Sequence, residues 1–84
     1  MTTRKEVYKV IDSERAYQRQ VIETERETAE HSVGDFLTML DWYVRRAQDQ
    51  WTDHGGDELA LHEVRKIAGI AVYCMEQHGA LYRL

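Results

Sequence analysis

The sequence contains no proline, one cysteine (Cys74), one phenylalanine and no apolar run near the length of a membrane span. A lone cysteine excludes an intrachain disulfide framework and suits a reducing cytosol. A span needs roughly 20 consecutive apolar residues, so a membrane role is excluded. The amino-terminal stretch Met1–Glu6 also lacks the apolar region of a signal peptide. A surplus of basic charge is missing too. Eleven basic residues against fifteen acidic ones leave a formal charge of −4, which argues against nonspecific binding to nucleic acid. The expected location is the cytoplasm, or the host cytoplasm for a phage-encoded chain.

With 84 residues, 43% apolar and 31% charged, the chain makes one small domain. A chain of this size buries only about 60–65% of the surface that it exposes when unfolded. That leaves room for one core and a shallow site.

Because proline is absent, helices end only where glycine and short polar residues gather. Three are predicted, over about 3–29, 33–52 and 58–78. On the first, Val7, Val10, Ile11, Val21, Ile22 and Ala29 share a face, and at ~1.5 Å per residue the helix would reach roughly 40 Å. Ser32 and Asp35 have the spacing of a capping box that starts the second helix. Its stripe is Phe36, Met39, Leu40, Tyr43, Val44, Ala47 and Trp51. Asp53-His54-Gly55-Gly56-Asp57 reads as a loop, with Gly56 or Asp57 as the N-cap of the third helix. That helix carries Ala60, Leu61, Val64, Ile67, Ala68, Ala71, Val72 and Met75. It becomes apolar nearly all round between Ile67 and Met75, then stops at Gly79, where Leu81 can fold back. The fold class is all-α, a three-helix up-down-up bundle. The long first helix and the all-round apolar third helix predict completion by self-association, as a dimer or higher homo-oligomer, into a four-helix or larger bundle.

Two features depart from simple amphipathicity. Glu14 and Gln18 fall at about −20° and +20° from Val7, within the apolar stripe. A carboxylate there is costly unless paired. It either bonds Gln18 or Arg65 and fixes helix register, or forms a polar notch facing a small-molecule pocket, or is exposed on a rotated helix. Trp42 lies about 140° from the centre of its stripe, beside Arg45 and Arg46. That composition suits an oligomer contact, a partner surface or a site that stacks an aromatic ligand. Glu23, Glu25, Glu27 and Glu30 read as a solvated helix end, since hard cations require oxygens converging from several elements. The four histidines lack zinc spacing. No catalytic triad or phosphate loop is visible.

The segment Ile11-Asp12-Ser13-Glu14-Arg15-Ala16-Tyr17-Gln18 resembles the Glu-Arg-x-x-Gln opening of small MazG-like proteins, often encoded by phages and prophages. The segment from Ala60 to Val72, with Glu76-Gln77-His78-Gly79-Ala80, is similar to their closing helix. The resemblance implies an all-α nucleoside triphosphate pyrophosphohydrolase, dimeric or tetrameric, that holds Mg²⁺ on Glu-Glu-x-x-Glu and Glu-x-x-Asp motifs. At the corresponding places this chain reads Thr38-Met39-Leu40-Asp41-Trp42 and Glu63-Val64-Arg65-Lys66, with lysine in a metal-ligand position. The expectation is therefore a non-catalytic phage or prophage accessory protein, suited to counter-defence, without metal or cofactor. It would bind a nucleotide-like ligand through Glu14, Arg15, Gln18 and Arg65, or block a host protein, with Trp42, Arg45 and Arg46 as the contact surface. One alternative is a divergent Mg²⁺-dependent pyrophosphohydrolase using Asp41, Glu63 and carboxylates from Glu23 to Glu30. Another is a structural helical interaction module.

Overall fold

A computed structural model describes residues 1–25 and 30–84, and the side chains of these except 22–25 and His54. The described residues form three α-helices, α1 (Arg4–Glu25), α2 (Val33–Asp49) and α3 (Asp57–His78), with no strand. None is long and apolar enough to cross a membrane.

Each start has a local cause. The Thr3 hydroxyl accepts the Glu6 N–H at 3.2 Å. At α2 the expected capping box is present: Ser32 Oγ accepts the Asp35 N–H at 3.0 Å, and Asp35 Oδ2 accepts the Ser32 N–H at 3.2 Å. This satisfies two of the donors that a helix start leaves orphaned.

The glycine loop differs from expectation. Instead of unwinding at Asp53, the chain widens into a π-helical turn, Gln50–Gly55, and reverses at Gly56 alone. Gly56 sits at φ 65°, where any residue with a Cβ is strained. The Trp51 indole N–H donates to Asp57 Oδ1 at 3.0 Å across the turn, a use for Trp51 other than the predicted core position.

The arrangement is up-down-up, built around α3. Arg46 meets Glu63 while Phe36 meets Tyr73 and His78, so α2 runs antiparallel to α3. Val7 and Val10 lie near Leu61, and Gln18 near Gly69, so α1 runs parallel to it. Among the described residues α1 and α2 do not pack on each other. The bundle is open on that side. The described part of α1 has 22 residues, as many as α3; positions 26–29, with Glu27 and Ala29, on which its expected extra length depends, lie outside the described residues.

The core is small and partly charged. Among the described residues the buried apolar side chains are Phe36, at 0% exposure, and Ile70. Phe36 is held edge-on by the rings of His31, Tyr73 and His78 at 5.4–6.1 Å. The His78 ring donates from Nε2 to the His31 carbonyl at 2.6 Å, and the His31 N–H donates to Gln77 Oε1 at 3.3 Å, so the end of α3 ties down the entry to α2. Much of the predicted apolar stripe is instead exposed: Val7 and Val10 on α1, Val44 on α2, Trp51 in the π-helical turn, Leu61, Val64 and Met75 on α3. Gly79 closes α3 with its N–H on the Met75 carbonyl at 2.8 Å, but Leu81 is bare rather than folded back.

Candidate functional site

The most tightly held polar groups lie where α1 crosses α3. Glu14 is 6% exposed. It accepts from Arg65 Nε at 2.8 Å and from Gln18 Nε2 at 3.2 Å. Gln18 Nε2 also reaches the Lys66 carbonyl at 3.5 Å. Arg65 in turn donates to His62 Nδ1 at 2.6 Å, which places that ring's proton on Nε2. Of the readings open for Glu14, the structure shows both predicted partners engaged.

The adjacent Arg15 is also buried. Its Nε and Nη2 grip the two oxygens of Glu76 at 2.8 and 3.0 Å, the bidentate geometry that only Arg supplies. Nη1 donates to the Gln18 oxygen at 3.1 Å, and the guanidinium carbon stands 4.2 Å from the centre of the Tyr73 ring. The hydrogen bond from Arg15 draws the Glu76 carboxyl below its ordinary range against an opposing push from burial, and the positive charges of Arg15 and Arg19 add to it.

Between α2 and α3 a second buried carboxylate is shared. Glu63 is 4% exposed. Its Oε1 accepts from Arg46 Nε and from Lys66 Nζ, each at 3.1 Å. Its Oε2 is the one buried side-chain atom among the described residues without a hydrogen-bond partner. The lysine noted as unsuited to a metal site therefore has a partner of its own. It neutralises the glutamate that the MazG-like motif would assign to Mg²⁺. Asp41, the other candidate ligand, is exposed and paired with Arg45 at 3.2 Å. Glu30 is exposed, and the side chains of Glu23 and Glu25 lie outside the described residues. No group of three or more acidic, histidine or cysteine side chains converges among the described residues, and Asp41 and Glu63, each held by cations, do not fit a Mg²⁺ centre.

These pairs back onto a cleft of about 370 Å³ in the gap left between α1 and α2. Tyr17, Tyr43 and Tyr73 supply aromatic walls, Glu14 and Gln18 one polar side, and Arg46 and Lys66 the cationic side. Such a volume lies within the usual range for small-molecule sites. The ion pairs around it join four cations, Arg15, Arg46, Arg65 and Lys66, to three carboxylates. One positive charge is left over in a chain whose total is −4.

Of the residues singled out from the sequence, Glu14, Gln18 and Arg46 line this cleft. Arg15 and Arg65 stand behind its wall, engaged with Glu76 and Glu14. Arg45 faces Asp41 outside it. Trp42 is 55% exposed, set edge-on to Tyr43 with ring centres 4.9 Å apart and 5.6 Å from the Arg46 guanidinium carbon. It makes a rim beside two wall residues. Sequence reasoning missed the wall made by Tyr17, Tyr43 and Tyr73, because Tyr43 counts as an ordinary stripe position, Tyr17 as a stripe edge and Tyr73 as part of an apolar run until the gap between the helices is known. Comparison with protein-family models, with curated proteins and with solved structures gives no match to this chain.

Proposed function

We propose that this protein is a non-catalytic, self-associating helical protein whose open cleft captures a nucleotide-like ligand. The carrying observation is the gap between α1 and α2, walled by three tyrosines and edged by Arg46 and Lys66. Aromatic faces stack on a base, and a guanidinium with an ammonium receives phosphate oxygens. Neither cation is fully consumed by Glu63, since both keep donors beyond the one bound to Oε1. In the phage setting implied by the MazG-like resemblance, stoichiometric capture needs no turnover. A host-protein contact is the second reading, favoured by the exposed Trp42 beside Arg45 and Arg46.

Calorimetry and thermal shift with ATP, GTP, dTTP, UTP and a cyclic dinucleotide test this directly, each with and without Mg²⁺. A ligand at 100 times its Kd should stabilise the fold by about 2.7 kcal/mol. Arg46→Ala, which leaves Glu63 paired with Lys66, and Tyr43→Leu should each weaken binding about ten-fold or more. Failure of every nucleotide to bind at millimolar concentration overturns ligand capture. Release of pyrophosphate in the presence of Mg²⁺ replaces it with the hydrolase.

A further inference from the structure

The exposed surface of this chain is too large for its mass. It totals 7100 Å², whereas a folded monomer of 9.9 kDa exposes about 5,200 Å² by the usual scaling. Part of the excess is the carboxyl-terminal segment, where Leu81, Tyr82 and Leu84 are bare. Exposed apolar side chains also lie along one face of α3, at Leu61, Val64 and Met75.

At about 100° per residue, α3 presents three faces roughly 120° apart. Glu63 and Ile70 face α2, as the Arg46 bond shows. Arg65, Gly69 and Glu76 face α1. Among the described residues no helix lies upon the third face, which carries Leu61, Val64, Ala68, Ala71 and Met75. These recur at alternating steps of three and four, the a/d spacing of a helix-pairing seam. Leu61 is 62% exposed, Val64 49% and Met75 45%. Grooves flank the seam on both sides, one floored by Val7 and Val10 of α1 and one by Val44 of α2 with Trp51 of the π-helical turn.

We infer that this face of α3 is covered by α3 of a second copy, running antiparallel about a two-fold axis at Ala68. The seam is self-complementary in that register. Ala68 meets its own image, and the small side chain lets the axes approach closely. Seven residues to either side, Leu61 of one copy meets Met75 of the other. Antiparallel pairing also opposes helix dipoles and sets the acidic start of α3, Asp57 and Glu58, beside the end that carries His78. A standard interface covers about 800 Å² per partner, which the surplus surface accommodates.

The inference rests on the self-association proposed above, and two measurements separate them. Light scattering should give about 20 kDa, twice the 9.9 kDa chain. In a Cys74→Ala background, Ala68→Cys should oxidise to a covalent dimer. So should Leu61→Cys combined with Met75→Cys, whereas Leu61→Cys alone and the exposed control Arg19→Cys should not. Circular dichroism matching the parent establishes that each variant is folded, and Leu61→Glu gives an independent reading, with association weakened at least ten-fold. A monomer overturns self-association and the face together. A dimer that does not cross-link through position 68, cross-links through position 61 alone, or is indifferent to Leu61→Glu overturns the face only.

Discussion

Gly69 occupies the interior of α3, where an alanine would ordinarily stabilise the helix by about 1 kcal/mol. The structure reverses that sign. A Cβ at position 69 would lie 2.8 Å from Gln18 Nε2, 2.9 Å from Glu14 Cγ and 3.2 Å from Gln18 Cδ. The Gln18 tip can swing away, but Glu14 Cγ is held near the backbone. Moving it pulls the carboxylate from Arg65, a charge-assisted bond of 2.8 Å that contributes about 1.5–3 kcal/mol in such settings. Overpacking of this kind typically costs about 1–3 kcal/mol even without a lost bond. After the helix-propensity gain, Gly69→Ala should destabilise by about 1–2 kcal/mol. For a domain of this size that lowers Tm by roughly 5–15 °C.

Urea denaturation followed by circular dichroism, at one fixed protein concentration because of the proposed dimer, measures the change. The decisive control is the Glu14→Ala/Gln18→Ala background, which removes all three crowding atoms. There the same Gly69→Ala substitution should stabilise, by roughly 0.5–1 kcal/mol, because only the backbone preference remains. A stabilising Gly69→Ala in the otherwise unaltered chain refutes the close crossing. Equal destabilisation in both backgrounds refutes its assignment to Glu14 and Gln18.

Three other outcomes are expected. Glu63→Met should leave stability unchanged or raise it by about 1–2 kcal/mol, because it removes a buried carboxylate with one orphaned oxygen while Arg46 and Lys66 can turn to water; a loss of 3 kcal/mol or more in a melt would show that the shared ion pair supports the fold. Trp42→Ala should cost only about 1 kcal/mol, the sum of a ring-edge contact and a half-exposed cation–π contact, yet weaken ligand binding or assembly; a collapsed fold would return Trp42 to the core, and unchanged binding and assembly would make it an idle surface residue. Because Arg15 holds the folded-state pKa of Glu76 below its ordinary value, the pair stabilises above the unfolded carboxyl pKa near ~4.3 and is lost as pH falls through the depressed folded value. The stability difference between the unaltered chain and Glu76→Gln should therefore be present at pH 7 and vanish once the pH falls below that depressed folded value, and a difference that persists in acid would dissociate it from ionisation.

Local signals were legible where a single turn of chain decides them. Ser32 and Asp35 determine the start of α2 between themselves, and Glu14 in the middle of an apolar stripe demanded partners that Gln18 and Arg65 supply. Gly56 was legible as a break, but the π-helical turn before it was not. That turn depends on Trp51 reaching Asp57, a contact that periodicity does not encode. The open side of the bundle was hidden for a related reason. A helical wheel tells which residues are apolar, not which neighbour covers them, so Tyr43 read as a stripe residue and not as one of three facing walls with Tyr17 and Tyr73. Glu63 was read only against a metal motif. Its partner Arg46 belongs to a helix seventeen positions away, and Arg46 had been assigned to a surface with Trp42.

The apolar run from Ile67 to Met75 illustrates how one stretch of sequence answers two packing problems. Ile70 belongs to the subunit's own interior, while Ala68, Ala71 and Met75 lie on the outward seam, and both sets contribute to the same all-round hydrophobicity. This division explains why the interior can tolerate three buried charged residues, Glu14, Arg15 and Glu63. In a monomer they would displace much of a small apolar core, and a chain of this length has little stability to lose. If the α3 seam is buried against a second copy, most of the hydrophobic stabilisation comes from between the subunits. The interior of each subunit is then released to hold charge, and an open polar cleft becomes compatible with folding.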